Sequence, residues 1–350
     1  MDASIEEEIA EKKIDPSKSM QIGMGFWASK TLLTAVNMEL FTHLAKGKLS
    51  GLEIQNKLGL NKRSVYDFLD TLVALGFLKR TGLKESAVYE NSEETDMFLD
   101  KNKPNYIGGL LEMCNNRLYP FWNNLQDGLT TGKPQNEIKS SDSSFFEILY
   151  ADESRLNEFI NAMAGIQMGN FISFASQFNF DKYHKHCDIG GSGGHLSIQV
   201  VKHNPRIASK SFDLPKVARI ARQNIMEMGL SNNVESVAGN FFKDDFPKVD
   251  VITMGNILHD WGMQDKKDLI KKAYEALPGG GALVVIENII DDGRCENTFG
   301  LLMSLNMLIE TEEGFDFSAA DFAVWAKETG FKEVYVMPLT GPASAVIATK

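Results

Sequence analysis

The stretch His186-Cys187-Asp188-Ile189-Gly190-Gly191-Ser192-Gly193-Gly194 constrains the fold of this chain more than any other. A short apolar run ends in a turn nearly devoid of side chains. A second run, Ala208–Asp213, then closes on Asp213-Leu214-Pro215, with its acid 23 residues past Gly190. Strand, glycine turn, helix, strand and terminal acid form the first βαβ unit of a doubly wound sheet. There, bare backbone can touch a nucleoside cofactor and a carboxylate can hold a ribose diol. Asp188 precedes the glycines, where a pyrophosphate site would not want negative charge. An acid there suits a ligand bearing an ammonium. S-adenosylmethionine offers an ammonium, a ribose diol and a sulfonium.

From Tyr183 onward, strands and helices alternate. The predicted strands are His186–Ile189, Ala208–Asp213, Val234–Ala238, Val249–Met254, Gly281–Glu287, Glu333–Pro338 and Ser344–Thr349. This predicts a Rossmann-like, mostly parallel α/β sheet covered on both faces, with an antiparallel hairpin at its edge. The N-terminal part reads differently. Residues 1–18 are rich in Glu and Lys and predict a solvated segment. Ser19–Leu44 is helical and apolar around most of its circumference, which asks for burial on several sides and, in a small domain, for a partner subunit. Ser50 with Glu53 forms a capping box, and that helix ends near Gly59. Asn61 caps a predicted helix over Lys62–Leu75, followed by a hairpin of Phe77–Arg80 and Ala87–Tyr89: a winged-helix pattern. Residues 104–180 read as mainly helical, with Pro120 kinking or breaking the run Gly108–Leu129, a polar loop over Thr130–Ser143, and a long helix over Asp152–Phe178. The domain reading is 1–103 for dimerisation, 104–180 for a helical connector lining an acceptor pocket, and 181–350 for cofactor binding.

The 350 residues carry a formal charge of −11, which repels phosphate backbones and argues against nucleic-acid binding. No secretory h-region and no membrane-length apolar run occur. Cys114, Cys187 and Cys295 are odd in number and far apart, which fits a reducing cytoplasm and no disulfide framework. His184, His186 and Cys187 superficially resemble metal ligands, but they lie on and before a buried strand with no further ligand cluster, so they read as structural; no metal is expected. Asn240, just past the third strand, can reach an adenine edge, with Phe241 packing on the base; the alternative is a strand-end cap. Ile257-Leu258-His259-Asp260-Trp261 follows the apolar strand Val249–Met254 at the carboxyl edge of the sheet, where ligands bind. A neutral His259 there suits a general base for a phenol or enol hydroxyl near pH 7.

Together these motifs resemble the family-2 S-adenosylmethionine-dependent O-methyltransferases, which include plant caffeate, acetylserotonin and bacterial natural-product enzymes. The resemblance runs from Gly25-Phe26-Trp27-Ala28-Ser29-Lys30, similar to the family's dimerisation helix, through the glycine turn, Asp213-Leu214-Pro215, Gly239-Asn240-Phe241-Phe242 and Ile257–Trp261, to Ser304–Leu308 and Phe317–Phe322. It implies a homodimer. It also implies that Gly190 and Gly191 lie against the methionine part of the cofactor, Asp213 and Leu214 beside the ribose, Asn240 and Phe241 at adenine, and Gly255 in the cofactor site. His259 becomes the base, with Glu287 or Asp260 orienting it and Asp316 near a second acid. Asn306 and Met307 would face the acceptor, and Met113, Trp122, Met163, Met168, Phe171 and Met303 could complete an apolar pocket for an aromatic or polyketide-like ring. S-adenosylhomocysteine would be the product. Three positions depart from the family: Ser192 replaces a glycine, Asn240 the usual Asp, and Gly255 the Lys of plant members. The alternatives are a methyltransferase-like hydroxylase or decarboxylase, and a winged-helix regulator.

Overall fold

The computed structural model describes residues 15–103, 105–140 and 152–350. The expected solvated N-terminus, up to residue 14, and the end of the polar loop, residues 141–143, lie outside the described residues. The chain folds as two compact units, Met1–Leu118 and Tyr119–Lys350. The boundary therefore falls inside the expected connector, whose long helix belongs to the second unit.

In the first unit, α1 (Ser17–Gly23), α2 (Gly25–Asn37) and α3 (Leu40–Leu44) cover the apolar N-terminal stretch. A short β1 (Leu49–Ser50) leads into α4 (Gly51–Leu58), which starts on the reciprocal Ser50–Glu53 capping box and stops at left-handed Gly59. Next, α5 spans Val65–Ala74, three residues later than expected: the Asn61 side-chain oxygen accepts from Arg63 N–H and closes a turn instead of opening the helix. β2 (Leu78–Thr81) and β3 (Val88–Asn91) then form the hairpin, and β1 pairs with β3 on its other side. Val36, Leu40, Phe41, Ile54, Leu69, Leu72 and Tyr89 fill this unit's core. α6 (Glu93–Phe98) and α7 (Gly108–Met113) follow, and Cys114–Leu118 winds as a π turn just ahead of Pro120. Proline lacks the N–H that a regular helix would use there; the backbone widens into the π turn and stays helical through Pro120 to Trp122, so the proline distorts the run without breaking it.

The second unit opens with α8 (Tyr119–Trp122), α9 (Leu125–Thr131) and the long α10 (Glu153–Gln177). It continues as β4 (Lys185–Ile189), α11 (His195–His203), β5 (Ala208–Asp213), α12 (Pro215–Glu227), β6 (Val234–Ala238), β7 (Val251–Gly255), α13 (Met263–Ala276) and β8 (Ala282–Glu287). α14 (Thr298–Glu310), α15 (Ala319–Thr329), β9 (Glu333–Pro338) and β10 (Ser344–Thr349) end the chain. The seven strands run in the order β6-β5-β4-β7-β8-β10-β9. β4 to β8 pair in parallel, and β10 is antiparallel to both of its neighbours. Strand side chains alternate across the sheet. Ile252, Met254, Leu283 and Val285 pack with Leu269, Ile270, Phe322 and Trp325 on one face. Val251, Val284 and Ile286 pack with Phe174, Phe178, Leu196 and Val200 on the other. Phe174 and Ala175 lie on α10 and Phe178 directly follows it, which explains why that helix belongs with the sheet. Strand order reverses between β4 and β7, so the carboxyl ends of these two strands flank the crevice of a doubly wound sheet.

Candidate active site

The glycine turn leaves β4 at that reversal. Gly190 has φ +71°, and a Cβ there would sit 2.2 Å from Ile257 Cδ1 and 3.9 Å from the Phe241 ring. Only glycine fits both the left-handed backbone and the contact. Three separate motifs, at 190, 241 and 257, therefore meet at one point. A Cβ on Gly191 would lie 3.2 Å from Asp188 Oδ2. Asp188 is buried, and its Oδ1 accepts from the Thr253 hydroxyl at 2.6 Å. That hydroxyl lies 2.9 Å from His186 Nε2, whose Nδ1 lies 2.7 Å from the Ser209 hydroxyl. Because Thr253 spends its proton on Asp188, His186 donates from Nε2 and accepts at Nδ1. Burial drives His186 down to about 3, so the ring is neutral and structural. Burial also pushes Asp188 up to about 7. A cation brought beside that carboxylate relieves its desolvation cost.

At the end of β5, Asp213 Oδ2 accepts from Ser192 N–H at 2.9 Å and Oδ1 from Leu214 N–H at 2.7 Å. Burial raises its carboxyl to about 6 against these two donors. Ser192, at φ +49°, is held left-handed while making the first of these bonds. The acid thus braces the turn and keeps further lone pairs for a diol.

His259 lies in the helical turn Leu258–Asp260 after β7 and is 5% exposed. Its Nδ1 faces Asp316 Oδ1 at 3.3 Å and Glu287 Oε2 at 3.5 Å, and its Nε2 faces Asp260 Oδ1 at 3.5 Å. Glu287 ends β8, and its Oε1 accepts from Leu258 N–H at 3.1 Å, tying that strand to the turn. Burial alone would lower the imidazole pKa; Glu287, Asp260 and Asp316 outweigh it and raise the pKa to about 10. Burial lifts Glu287 to about 7 and Asp260 to about 6. The expectation of a neutral ring near pH 7 is thereby corrected: three carboxylates hold the proton on His259. The donor atoms of His259, Glu287 and Asp316 lie within 4.8 Å of one another. Both carboxylates face Nδ1: Asp316 Oδ1 is its hydrogen-bond partner, and Glu287 Oε2 acts on it by charge alone.

Residues 122–332 match the O-methyltransferase domain family, and residues 20–101 match the O-methyltransferase dimerisation domain. The chain belongs to the O-methyltransferase family. It is 34% identical over 335 residues to the tetracenomycin polyketide synthesis 8-O-methyl transferase of Streptomyces glaucescens, covering 96% of this chain and 97% of that one. It is 26% identical over 335 residues to a 3-hydroxy-5-methyl-1-naphthoate 3-O-methyltransferase of Streptomyces sahachiroi, covering 95% and 94%. Its fold matches human N-acetylserotonin methyltransferase solved with S-adenosylmethionine at a TM-score of 0.87 and 24% identity, over 96% and 98% of the two chains. This O-methyltransferase is an S-adenosylmethionine-dependent enzyme of small-molecule metabolism. The hydroxylase and regulator alternatives are not favoured. The site fits the cofactor's chemistry: a buried, cation-seeking Asp188 under a turn that a Cβ would fill, and a diol-ready Asp213 on the next strand.

Other expected site residues fall in several places. Gly255 ends β7, and a Cβ there would touch the Phe171 ring of α10 at 3.5 Å. Asn240 accepts from Phe242 N–H at 2.9 Å through Oδ1, the strand-end cap that was its alternative reading. Phe241 packs edge-on to Trp261, with ring centroids 5.8 Å apart. Trp122 Nε1 donates to Asn306 Oδ1 at 2.9 Å, joining two residues expected at the acceptor. On α14, Met307 is buried and Met303 half-buried. Met163 is half-buried on α10, and Met168 accepts from Gln199 of α11 at 3.4 Å. Met113 belongs to the first unit. Two supporting residues were missed. Thr253 reads as plain strand until its hydroxyl meets Asp188. Lys266 looks like one of many charges on α13, and only a break in that helix's polar face could have flagged it.

Proposed function

We propose that this O-methyltransferase methylates a phenolic hydroxyl on a fused-ring, polyketide-type aromatic acceptor, with His259 as general base. One observation carries the reading: Ile257, two residues before His259, lies over Gly190, so the base-bearing segment and the cofactor turn share one wall. Gly190, Gly191 and Asp188 would hold the methionine end, Asp213 and Leu214 the ribose, and Phe241 with Asn240 the adenine. When bound, the cofactor supplies an activated methyl group. The protein then orients the hydroxyl, excludes water and removes a proton. His259 Nε2 takes the acceptor proton, and Glu287 and Asp316 hold Nδ1–H. An imidazole raised to about 10 matches a phenol, whose ordinary pKa is also about 10. Trp122, Asn306, Phe171, Met303 and Met307 would frame the ring. The two bacterial relatives, one acting on a tetracenomycin polyketide and one on a hydroxynaphthoate, support that acceptor class.

Association as a homodimer through α1 and α2 is part of the same proposal. Met20, Ile22, Phe26 and Trp27 are 51–71% exposed in the single chain, and this segment matches the family's dimerisation domain. Among the described residues no helix is long and apolar enough to cross a membrane.

The test is a panel of hydroxylated naphthoates and anthraquinones incubated with S-adenosylmethionine and read by mass spectrometry, repeated with His259→Ala. The expected result is a singly methylated product, turnover lowered by about a hundredfold or more in the variant, and S-adenosylhomocysteine affinity retained. Unchanged turnover in His259→Ala would remove the base.

A further inference from the structure

Lys266 is fully buried, and among the largest buried side chains of the described residues it is the one that carries a charge. It lies in the first turn of α13, where the helix dipole disfavours a cation. Burial lowers its pKa to about 8. Two unfavourable terms therefore act on this ammonium, and what surrounds it must offset them. Its Nζ donates to the Trp261 carbonyl and sits 3.6 Å from the Phe315 ring centroid. Trp261 closes the segment bearing His259 and Asp260, and Phe315 adjoins Asp316. A Cβ on Gly314 would lie 2.6 Å from the His259 carbonyl oxygen, so the two segments are in contact there too. The charges that act on Lys266 are Glu287, Asp316, Asp260 and Asp265, and Glu313 in turn acts on Asp265. Glu287 Oε2 and Asp316 Oδ2 are buried without a hydrogen bond. Two such oxygens are costly unless positive charge answers them.

We infer that Lys266 is a positioning residue for His259: its buried ammonium ties the 257–261 segment to the 311–317 segment and offsets the local carboxylates, so that the imidazole proton can still be removed. Without that positive charge, three acids would face one ring and hold its proton more tightly. The catalytic meaning of this role rests on His259 being the base, but the electrostatic claim does not.

The experiment is a histidine-labelled titration of the full chain followed by NMR, without cofactor or acceptor. The His259 signal is assigned by its loss in His259→Gln. Lys266, at about 8, loses its proton before the ring does at about 10, so its charge is read below pH 8: in Lys266→Met, which keeps most of the volume, the step that Glu287 and Asp260, at about 7 and about 6, impose on the His259 signal is expected to move up by about one pH unit. Lys266→Arg, which keeps the charge, should bring most of that shift back. A step unmoved in folded Lys266→Met overturns the inference and leaves the base untouched. Full turnover in His259→Ala defeats the base and leaves the coupling standing. Should Lys266→Met fail to fold, the unmodified chain decides. Lys266 and His259 are expected to titrate as a coupled pair, each displacing the other's signal, and independent titration overturns the inference.

Discussion

His259 has three carboxylates around one ring, and that crowding sets both its ionisation and the pH dependence of the enzyme. With its pKa raised from 6.5 to about 10, the free enzyme holds an imidazolium at pH 7. Base catalysis needs one proton to leave the pair formed by the ring and the phenol. kcat/KM is therefore expected to rise between about pH 7 and 9 and to level as the first of the two ionises, both having pKa values near 10. A profile flat above pH 7 would contradict a protonated ring. The sulfonium of a bound cofactor is positive and lowers the imidazole pKa, so the limb in kcat should lie at lower pH than the limb in kcat/KM. The same shift acts on stability. Attraction between His259 and its acids is lost as pH rises through about 10, and it weakens below about 7 as Glu287 takes up a proton.

At the scale of elements, the site depends on polar links between strands. Ser209 on β5, His186 on β4, Thr253 on β7 and Asp188 on β4 form one hydrogen-bonded line through the sheet. The histidine that superficially resembled a metal ligand instead holds Thr253 in place to serve Asp188. His186→Leu is expected to cost about 1–3 kcal/mol, because it strands buried hydroxyls on both neighbouring strands. Urea denaturation measures that loss. S-adenosylhomocysteine affinity should fall as well, because Thr253 is released from orienting Asp188. A variant as stable as the parent would show that the line contributes only shape. The helical elements obey local rules more simply: Ser50 with Glu53 starts α4, Gly59 stops it, and the π turn before Pro120 absorbs a missing N–H.

Across the whole molecule, the apolar face of α1 and α2 is the feature a lone chain handles worst. Phe26 is 53% and Trp27 61% exposed, which is unusual for large rings with no partner. Replacing both with Glu is expected to turn a dimer into a monomer, as read by analytical ultracentrifugation. A variant that still sediments as a dimer would move the interface elsewhere.

The sequence alone determined the order of elements, the strand bounds of β5, β6, β9 and β10, the caps of α4 and the glycine turn with its acid. These follow from side-chain period, capping and backbone freedom, all of which act over a few residues. At the start of α5 the boundary moved, because Asn61 closes a turn on Arg63 N–H instead of capping the helix. Only the tertiary structure decided which way His259 ionises, that Asp316 faces its Nδ1, that Asn240 spends its oxygen on Phe242, and that Lys266 is buried. His259 contacts Glu287 from 28 residues away and Asp316 from 57. A pKa is a sum over such neighbours at a few ångströms in a dry interior, and spacing along the chain carries no record of those distances.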